Sequence, residues 1–234
     1  MKIEVWEIFI GDWGVTPEAM HVLSVFERER AAGFCNDADR VRFCCRHVVL
    51  RRILGRAMGA APENLRFVRE PGGRPRLVLQ EGMPDIRFSL ASRHELALVA
   101  LTEGVDIGVD IEHLRIPQNY LEIARNYFTD SEYSGLLACP ESERSRFFCE
   151  CWTAREAVAK ARGTGLDSLR KVVLGPVTRI DAGDDYTAAL AIDSSLAPSL
   201  EPTVLCHRYS PGSPQGTRLR PHVATAGKLR VPRG

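Results

Sequence analysis

The stretch EGVDIGVDIE, residues 103 to 112, constrains this chain more than any other. Val105, Ile107, Val109 and Ile111 alternate with Asp106, Asp110 and Glu112. A period of two over this length reads as a β-strand with one apolar face and one acidic face. Three carboxylates along one strand face repel one another and gain nothing from packing. They call for a cation.

The rest of the chain gives that strand two sets of neighbours. Residues 2–10 alternate like a first strand, residues 17–34 read as a helix ending near Gly33, and a second helix starts at Asn36 or Asp37, both good N-cap residues. LRFVREPGGRPRLVL predicts two short strands around a Pro-Gly-Gly turn, and IRFSLASRHELALVALTEGVDIGVDIE two or three more. Helical patterning returns with YLEIARNYF, then with the capping box Thr129-x-x-Glu132, then with RSRFFCECWTAREAVAKARG up to Gly163. KVVLGPVTRID and YTAALAIDSS close the pattern as antiparallel strands. No short repeat is visible. The reading is an α+β chain of two comparable lobes with the acidic strand near their junction. The expected boundaries are 1–108 for the N-terminal lobe, 109–207 for the C-terminal lobe and 208–234 for a tail.

At 234 residues the chain is long enough for a proper core. No apolar run approaches the roughly 18–20 residues of a membrane span. MKIEVWEIFIGDW lacks the basic start and small-residue cleavage site of a secretory signal, so the reading is cytoplasmic, with no membrane partner. Seven cysteines, an odd number without zinc-type or C-x-x-C spacing, agree with a reducing compartment. The net charge of +1 hides an uneven distribution. From Arg208 on there are six basic residues and no acid, leaving residues 1–207 at −5. That tail is rich in Pro, Gly, Ser and Thr and is expected to be disordered. Without interleaved aromatics it argues against a nucleic-acid partner.

A second clue lies around Trp152. Phe148, Trp152, Glu156 and Lys160 form an i, i+4 row, which carries Glu156 onto an inward face behind two aromatics. A buried carboxylate needs a partner. Lys160 supplies one in a plain ion pair; alternatively Asp110, Glu112 and Glu156 form a set of three oxygen ligands of the kind Mg²⁺ takes. Arg42, Arg51 and Arg74 are either ordinary surface arginines or a group suited to a polyphosphate ligand. No G-x-x-x-x-G-K-[ST] is present, so a P-loop is not the cradle, and GTGLDS at 163–168 reads as a helix C-cap.

In register, GVDIE (108–112), FTDSEY (128–133) and WTAREAVAKARGTGL (152–166) resemble the 4′-phosphopantetheinyl transferases of the surfactin-synthetase type. The resemblance extends upstream through ERERAAGFCNDADRVRFCCRHVVLRRILG and GGRPRL, over about residues 20–170. It implies a pseudo-dimer of two similar α/β lobes with the active site in the cleft between them, in a chain that is itself monomeric. It also implies transfer of the phosphopantetheine arm of coenzyme A to a serine of an apo acyl or peptidyl carrier protein, releasing adenosine 3′,5′-bisphosphate. On this resemblance Asp110, Glu112 and Glu156 hold Mg²⁺, Glu156 is the candidate base for the carrier serine, and Lys160 neutralises the leaving phosphate. Arg42, Arg51 and Arg74 match the family's basic positions, with Arg42 and Arg74 the better coenzyme A contacts.

The chain departs from the pattern at three places. Arg155 stands where the family has Lys. FSLASR (88–93) replaces the family's F-N-[IVL]-S-H-S strand, with Ser89 for the Asn and Ser92 for a histidine that contacts coenzyme A. Arg93, next in line, is expected either to meet the cofactor's 3′-phosphate or to pair with Glu95. Finally, the segment after Tyr209 supplies little for a last strand. Two alternatives stay open: a family member that binds coenzyme A or a carrier domain without efficient transfer, and a Mg-dependent phosphohydrolase.

Overall fold

A computed structural model describes residues 1–11, 16–165, 169, 177–193, 202–209 and 217–218. The first half runs β1 (Lys2–Phe9), α1 (Pro17–Met20), α2 (Val25–Ala32), α3 (Asp37–Met58), a 3₁₀ turn (Pro62–Asn64), β2 (Phe67–Arg69), β3 (Pro75–Leu77), β4 (Ile86–Arg93) and β5 (Leu96–Glu103). The second runs β6 (Ile107–His113), α4 (Tyr120–Tyr127), α5 (Asp130–Ala138), α6 (Glu141–Arg162), β7 (Val177–Ile180), β8 (Tyr186–Ile192), β9 (Thr203–Tyr209) and β10 (Thr217–Arg218). The chain is α+β, as the sequence predicts.

Two sheets pack face to face between the two long helices. In the first sheet the order is β10-β9-β1-β5-β4, and in the second β6-β8-β7, with β2 and β3 forming a separate hairpin. Alternation divides each strand between two cores. Ala97, Val99 and Leu101 of β5 face α3 with Trp6, Ile8 and Val49. Leu96, Leu98 and Ala100 face the other sheet and meet Ile107, Val109 and Ile111 of β6. The apolar face of the acidic strand therefore fills the centre of the molecule. Its other face, with Gly108, Asp110 and Glu112, turns toward α6, which packs on the same side through Ala157, Val158 and Ala161.

The predicted helix over 17–34 is two helices. Ser24 caps α2 with a full capping box to Glu27, ending one segment and starting another. Thr129 and Glu132 make the same box at the start of α5. The boxes do more than cap. Arg51, 1% exposed, donates Nε to Glu27 Oε2 at 2.7 Å and Nη1 to the Pro62 and Leu65 carbonyls at 2.9 and 3.0 Å. Arg155, 0% exposed, donates Nε to Glu132 Oε2 at 3.0 Å and Nη1 to the Leu169 carbonyl at 2.7 Å.

The arginines stand 104 residues apart, as do the accepting carbonyls of Leu65 and Leu169 and the left-handed C-cap glycines Gly59 and Gly163. Both halves use one clamp, in which a buried guanidinium ties a long helix to the capping box before it and the segment after it. Arg155 in place of Lys is thereby explained. Two directions of donation suit a planar fork, not a single ammonium.

Of the tail expected from residue 208, the described residues are 208–209 and 217–218. Arg208 and Tyr209 belong to β9, which pairs in parallel with β1, and Arg208 Nε reaches Glu7 Oε1 at 2.9 Å. An alternating partner strand ordered them where local composition argued otherwise. Thr217 and Arg218 pair antiparallel with β9, which supplies the edge strand that the sequence left in question. The rest of the tail lies outside the described residues.

Two outcomes follow from packing. A Cβ on Gly108 would stand 1.9 Å from the Ala157 carbonyl oxygen and 2.5 Å from Ala161 N. Both atoms are backbone, so Gly108→Ala should cost about 3 kcal/mol or more, read from urea unfolding. Arg51→Ala leaves Glu27 buried without its guanidinium and should cost about 3–5 kcal/mol. A loss under about 1 kcal/mol in the same measurement would remove the clamp from the argument.

Candidate active site

β6 and α6 approach so closely at Gly108 that the side chains flanking the contact must face each other. Lys160 Nζ donates to Asp110 Oδ1 at 2.6 Å. Asp110 is buried at 6% exposure, and its Oδ2 has no hydrogen-bond partner among the described residues. Burial pushes the Asp110 carboxyl above the usual carboxylate range, against the charge and hydrogen bond of Lys160. Glu156, one turn before Lys160, is pushed up to about 7, first by burial, then by the Asp110 charge, with Glu112 adding to it and Lys160 opposing. Glu112 is raised by burial and by Asp110, and lowered by Arg93.

The structure thus brings Asp110, Glu112, Glu156 and Lys160 into one electrostatic cluster. Asp106 is not in it. It lies before the first residue of β6 and turns to Arg74 and Arg76, each at 2.8 Å. Nor do the three remaining carboxylates converge as they stand: among the described residues no group of three His, Cys, Asp or Glu is placed to hold a metal ion. Each strand acid is drawn to a cation instead, Asp110 to Lys160 and Glu112 to Arg93 at 3.0 Å. The donor chemistry nevertheless fits a hard divalent cation. The donors are all carboxylate oxygens, one of them is an orphaned buried acceptor, and burial together with their mutual repulsion pushes the Glu156 carboxyl up to about 7.

The expected cofactor arginines separate into distinct roles. Arg51 is the buried clamp described above, with its donors taken up internally, and it does not belong to the site. Arg42, in the first turns of α3, is half-buried and shared between Asp39 at 3.0 Å and Glu95 at 2.7 Å. Arg74 donates Nη1 to the Ala161 carbonyl at 2.6 Å and Nε to Glu70 at 2.7 Å, beside the C-terminal end of α6. Arg93 meets neither Glu95 nor open solvent alone; it pairs with Glu112 across the β4–β5 turn, where His94 adopts φ 50°. That turn joins the halves, since Glu95 holds Arg42 of α3 while Arg93 holds Glu112 of β6.

One residue of the site, Arg46, was missed in the sequence. Arg46, one turn after Arg42, donates Nη1 to Ser92 Oγ at 3.1 Å and lies 5.3 Å from the Phe43 ring centre. No ion pair to a carboxylate is formed by Arg46 among the described residues, and burial followed by the Arg30 charge lowers its pKa. The signal was the i, i+4 spacing from Arg42, which puts both on one helix face. Ser89 accepts from the backbone N–H of Val109 at 3.1 Å, tying β4 to β6 where the related pattern has Asn. That departure therefore retains a hydrogen bond to β6.

Residues 106–206 match the model of the 4′-phosphopantetheinyl transferase superfamily. Over 150 residues the chain is 33% identical to the 4′-phosphopantetheinyl transferase HetI of Nostoc sp., covering 64% of this chain and 63% of that protein. It is 30% identical over 155 residues to the putative 4′-phosphopantetheinyl transferase slr0495 of Synechocystis sp., covering 66% and 63%. With the 4′-phosphopantetheinyl transferase Sfp of Bacillus subtilis it shares 29% over 147 residues, 63% of each. The matched region spans a little under two thirds of each relative.

The raised Glu156 carboxyl has a measurable consequence. Between its ordinary value of 4.5 and about 7 the unfolded chain has released this proton and the folded chain has not. Stability in chelator-containing buffer must therefore fall as pH rises through that window. Glu156→Gln should melt at a higher temperature than the parent at pH 8, match it near pH 4, and show a flatter slope between. A variant less stable at pH 8 would contradict the placement of Glu156 among uncompensated carboxylates.

Proposed function

We propose that the chain is a member of the 4′-phosphopantetheinyl transferase superfamily and that it transfers the 4′-phosphopantetheine arm of coenzyme A to a serine of an apo carrier protein. The serine oxygen attacks the pantetheine-side phosphorus of the pyrophosphate. The bond from that phosphorus to the bridging oxygen breaks, and adenosine 3′,5′-bisphosphate leaves. The observation that supports the reading is the gathering of Asp110, Glu112, Glu156 and Lys160 on the facing sides of β6 and α6, with Lys160 Nζ bonded to Asp110 Oδ1 at 2.6 Å. Carboxylates and an ammonium so placed suit a reaction that moves a hydroxyl proton and neutralises phosphate charge.

In this reading Lys160 neutralises charge on the leaving phosphate, and Glu156 accepts the serine proton directly or through one water. Asp110, Glu112 and Glu156 would hold Mg²⁺, which when bound supplies electrostatic stabilisation of the charge developing on the pyrophosphate oxygens. With a cation on these acids, Lys160 and Arg93, now paired with Asp110 and Glu112, would be free to turn toward phosphate. Arg42 and Arg74 contribute positive charge along the cofactor. Arg46 gives the Ser92 position the cationic group that serine itself lacks. Phosphoryl transfer depends chiefly on such positioning and charge neutralisation.

Incubating an apo acyl or peptidyl carrier protein with coenzyme A and Mg²⁺ should add one phosphopantetheine mass to the carrier, read by intact-protein mass spectrometry. Glu156→Gln and Asp110→Asn should each reduce the rate at least about a hundredfold. Chelation with EDTA should stop the reaction, and added Mg²⁺ should restore it. Coenzyme A binding by calorimetry with no carrier modified, across acyl and peptidyl carriers, would mean a member that binds without transfer.

A further inference from the structure

Strand periodicity assigns Asp106 to the same acidic face as Asp110 and Glu112, yet it does other work. Its carboxylate is the common partner of three arginines. Arg76 grips it with both terminal nitrogens at 2.8 Å each, Arg74 Nη2 lies at 2.8 Å, and Arg87 Nη1 at 3.4 Å. Glu70 and Asp85 take the remaining charge, Glu70 on Arg74 and Arg76, Asp85 on Arg87. The cavity that Arg74, Arg76, Arg87 and Asp106 help to line is about 110 Å³, far below the roughly 300 Å³ at which ligand pockets begin. Beside this small cavity three cations and three carboxylates form an ion-pair node rather than a separate ligand pocket.

What the node holds is more informative than the node. Asp106 sits on the two-residue run between Gly104 and β6, while Arg74 and Arg76 belong to the turn and second strand of the β2–β3 hairpin. That hairpin reaches α6 directly. Arg74 Nη1 bonds the Ala161 carbonyl at 2.6 Å, and Gly72 stands so close that a Cβ there would lie 1.7 Å from the Gly163 carbonyl oxygen. Ala161 and Gly163 are the end of the helix that carries Glu156 and Lys160. The last turn of an α-helix has unsatisfied carbonyls and frays unless something ties it. Here the tie comes from the other half of the chain, and Asp106 fixes the tie.

We infer that Asp106 is a positioning residue: it locks the β2–β3 hairpin onto the C-terminal turn of α6 and so sets Lys160 and Glu156 against Asp110. This rests on the proposed transfer for its effect on rate, but the mechanical part stands without it. Asp106→Asn keeps the shape and removes the charge. Amide exchange at Gly163 and Thr164, whose N–H groups bond Lys160 and Ala159 carbonyls, should then quicken by about tenfold or more while β1 and β5 stay protected. The kcat for carrier modification should fall about tenfold, with KM for the carrier within twofold, because a small misplacement of reacting groups acts on the chemical step. Asp106→Glu, which keeps the charge, should recover most of the rate.

Unchanged exchange at the helix end overturns the inference, as does exchange that quickens everywhere. An unchanged kcat beside a loosened helix end overturns the positioning role. Equal losses in Asp106→Asn and Asp106→Glu overturn its electrostatic basis. If the parent chain modifies no carrier, the proposed function fails, and the exchange result alone decides whether Asp106 holds the helix.

Discussion

The whole candidate site depends on how closely β6 and α6 approach at Gly108. With no side chain between them, a strand and a helix bring Asp110, Glu156 and Lys160 together, Asp110 buried and the other two half-buried. Charges there are screened less than in open water, which is why Lys160 is bonded to Asp110, and burial together with the Asp110 charge raises the Glu156 carboxyl above its ordinary value. The Arg155 clamp fixes the helix from the neighbouring residue of Glu156. Its burial on one side of α6 decides that Glu156 turns to the other.

The same frame occurs twice and carries the acidic cluster once. Counting back 104 residues from Asp110 and Lys160 arrives at Trp6 and Arg56, also a strand–helix pair facing each other across a long helix. Arg56 there lies 5.6 Å from the Trp6 ring, so the ion pair of the second half has a cation–π contact as its counterpart in the first. Trp6 is 3% exposed and belongs to the core. An equivalent position can therefore serve packing or polarity on one backbone, and the acids of the second half are a choice of side chains, not of fold.

How much of this was legible in the sequence depended on the range of the interaction responsible. Period-two alternation placed the apolar face of β6 correctly, and the Ser24 and Thr129 capping boxes are local signals that the structure retains. Asp110, Glu112, Glu156 and Lys160 were readable because strand and helix periods each point them the same way. Asp106 was misassigned because periodicity ends where the strand does. Its direction is set by the turn at Gly104, φ 75°, and by arginines 19 to 32 residues earlier. Arg51 looked like any helix arginine until Glu27 and two carbonyls closed around it. The Arg93–Glu112 pair needed the β4–β5 turn to reach the second sheet, which no local pattern announces.

The parallel pairing of β9 with β1 has a consequence for how the protein is made. β1 leaves the ribosome well before its parallel partner, and its outer edge waits for a strand nearly 200 residues later. At synthesis rates of roughly 5–20 residues per second that interval is about 10 to 40 s. Until then the edge from Lys2 to Ile8 offers unpaired backbone groups beside Ile3, Val5 and Trp6, a template for pairing with other nascent chains. Pairing of β9 with β1 closes that edge, and it joins the two halves of the chain only after all the strands and helices between them have been made.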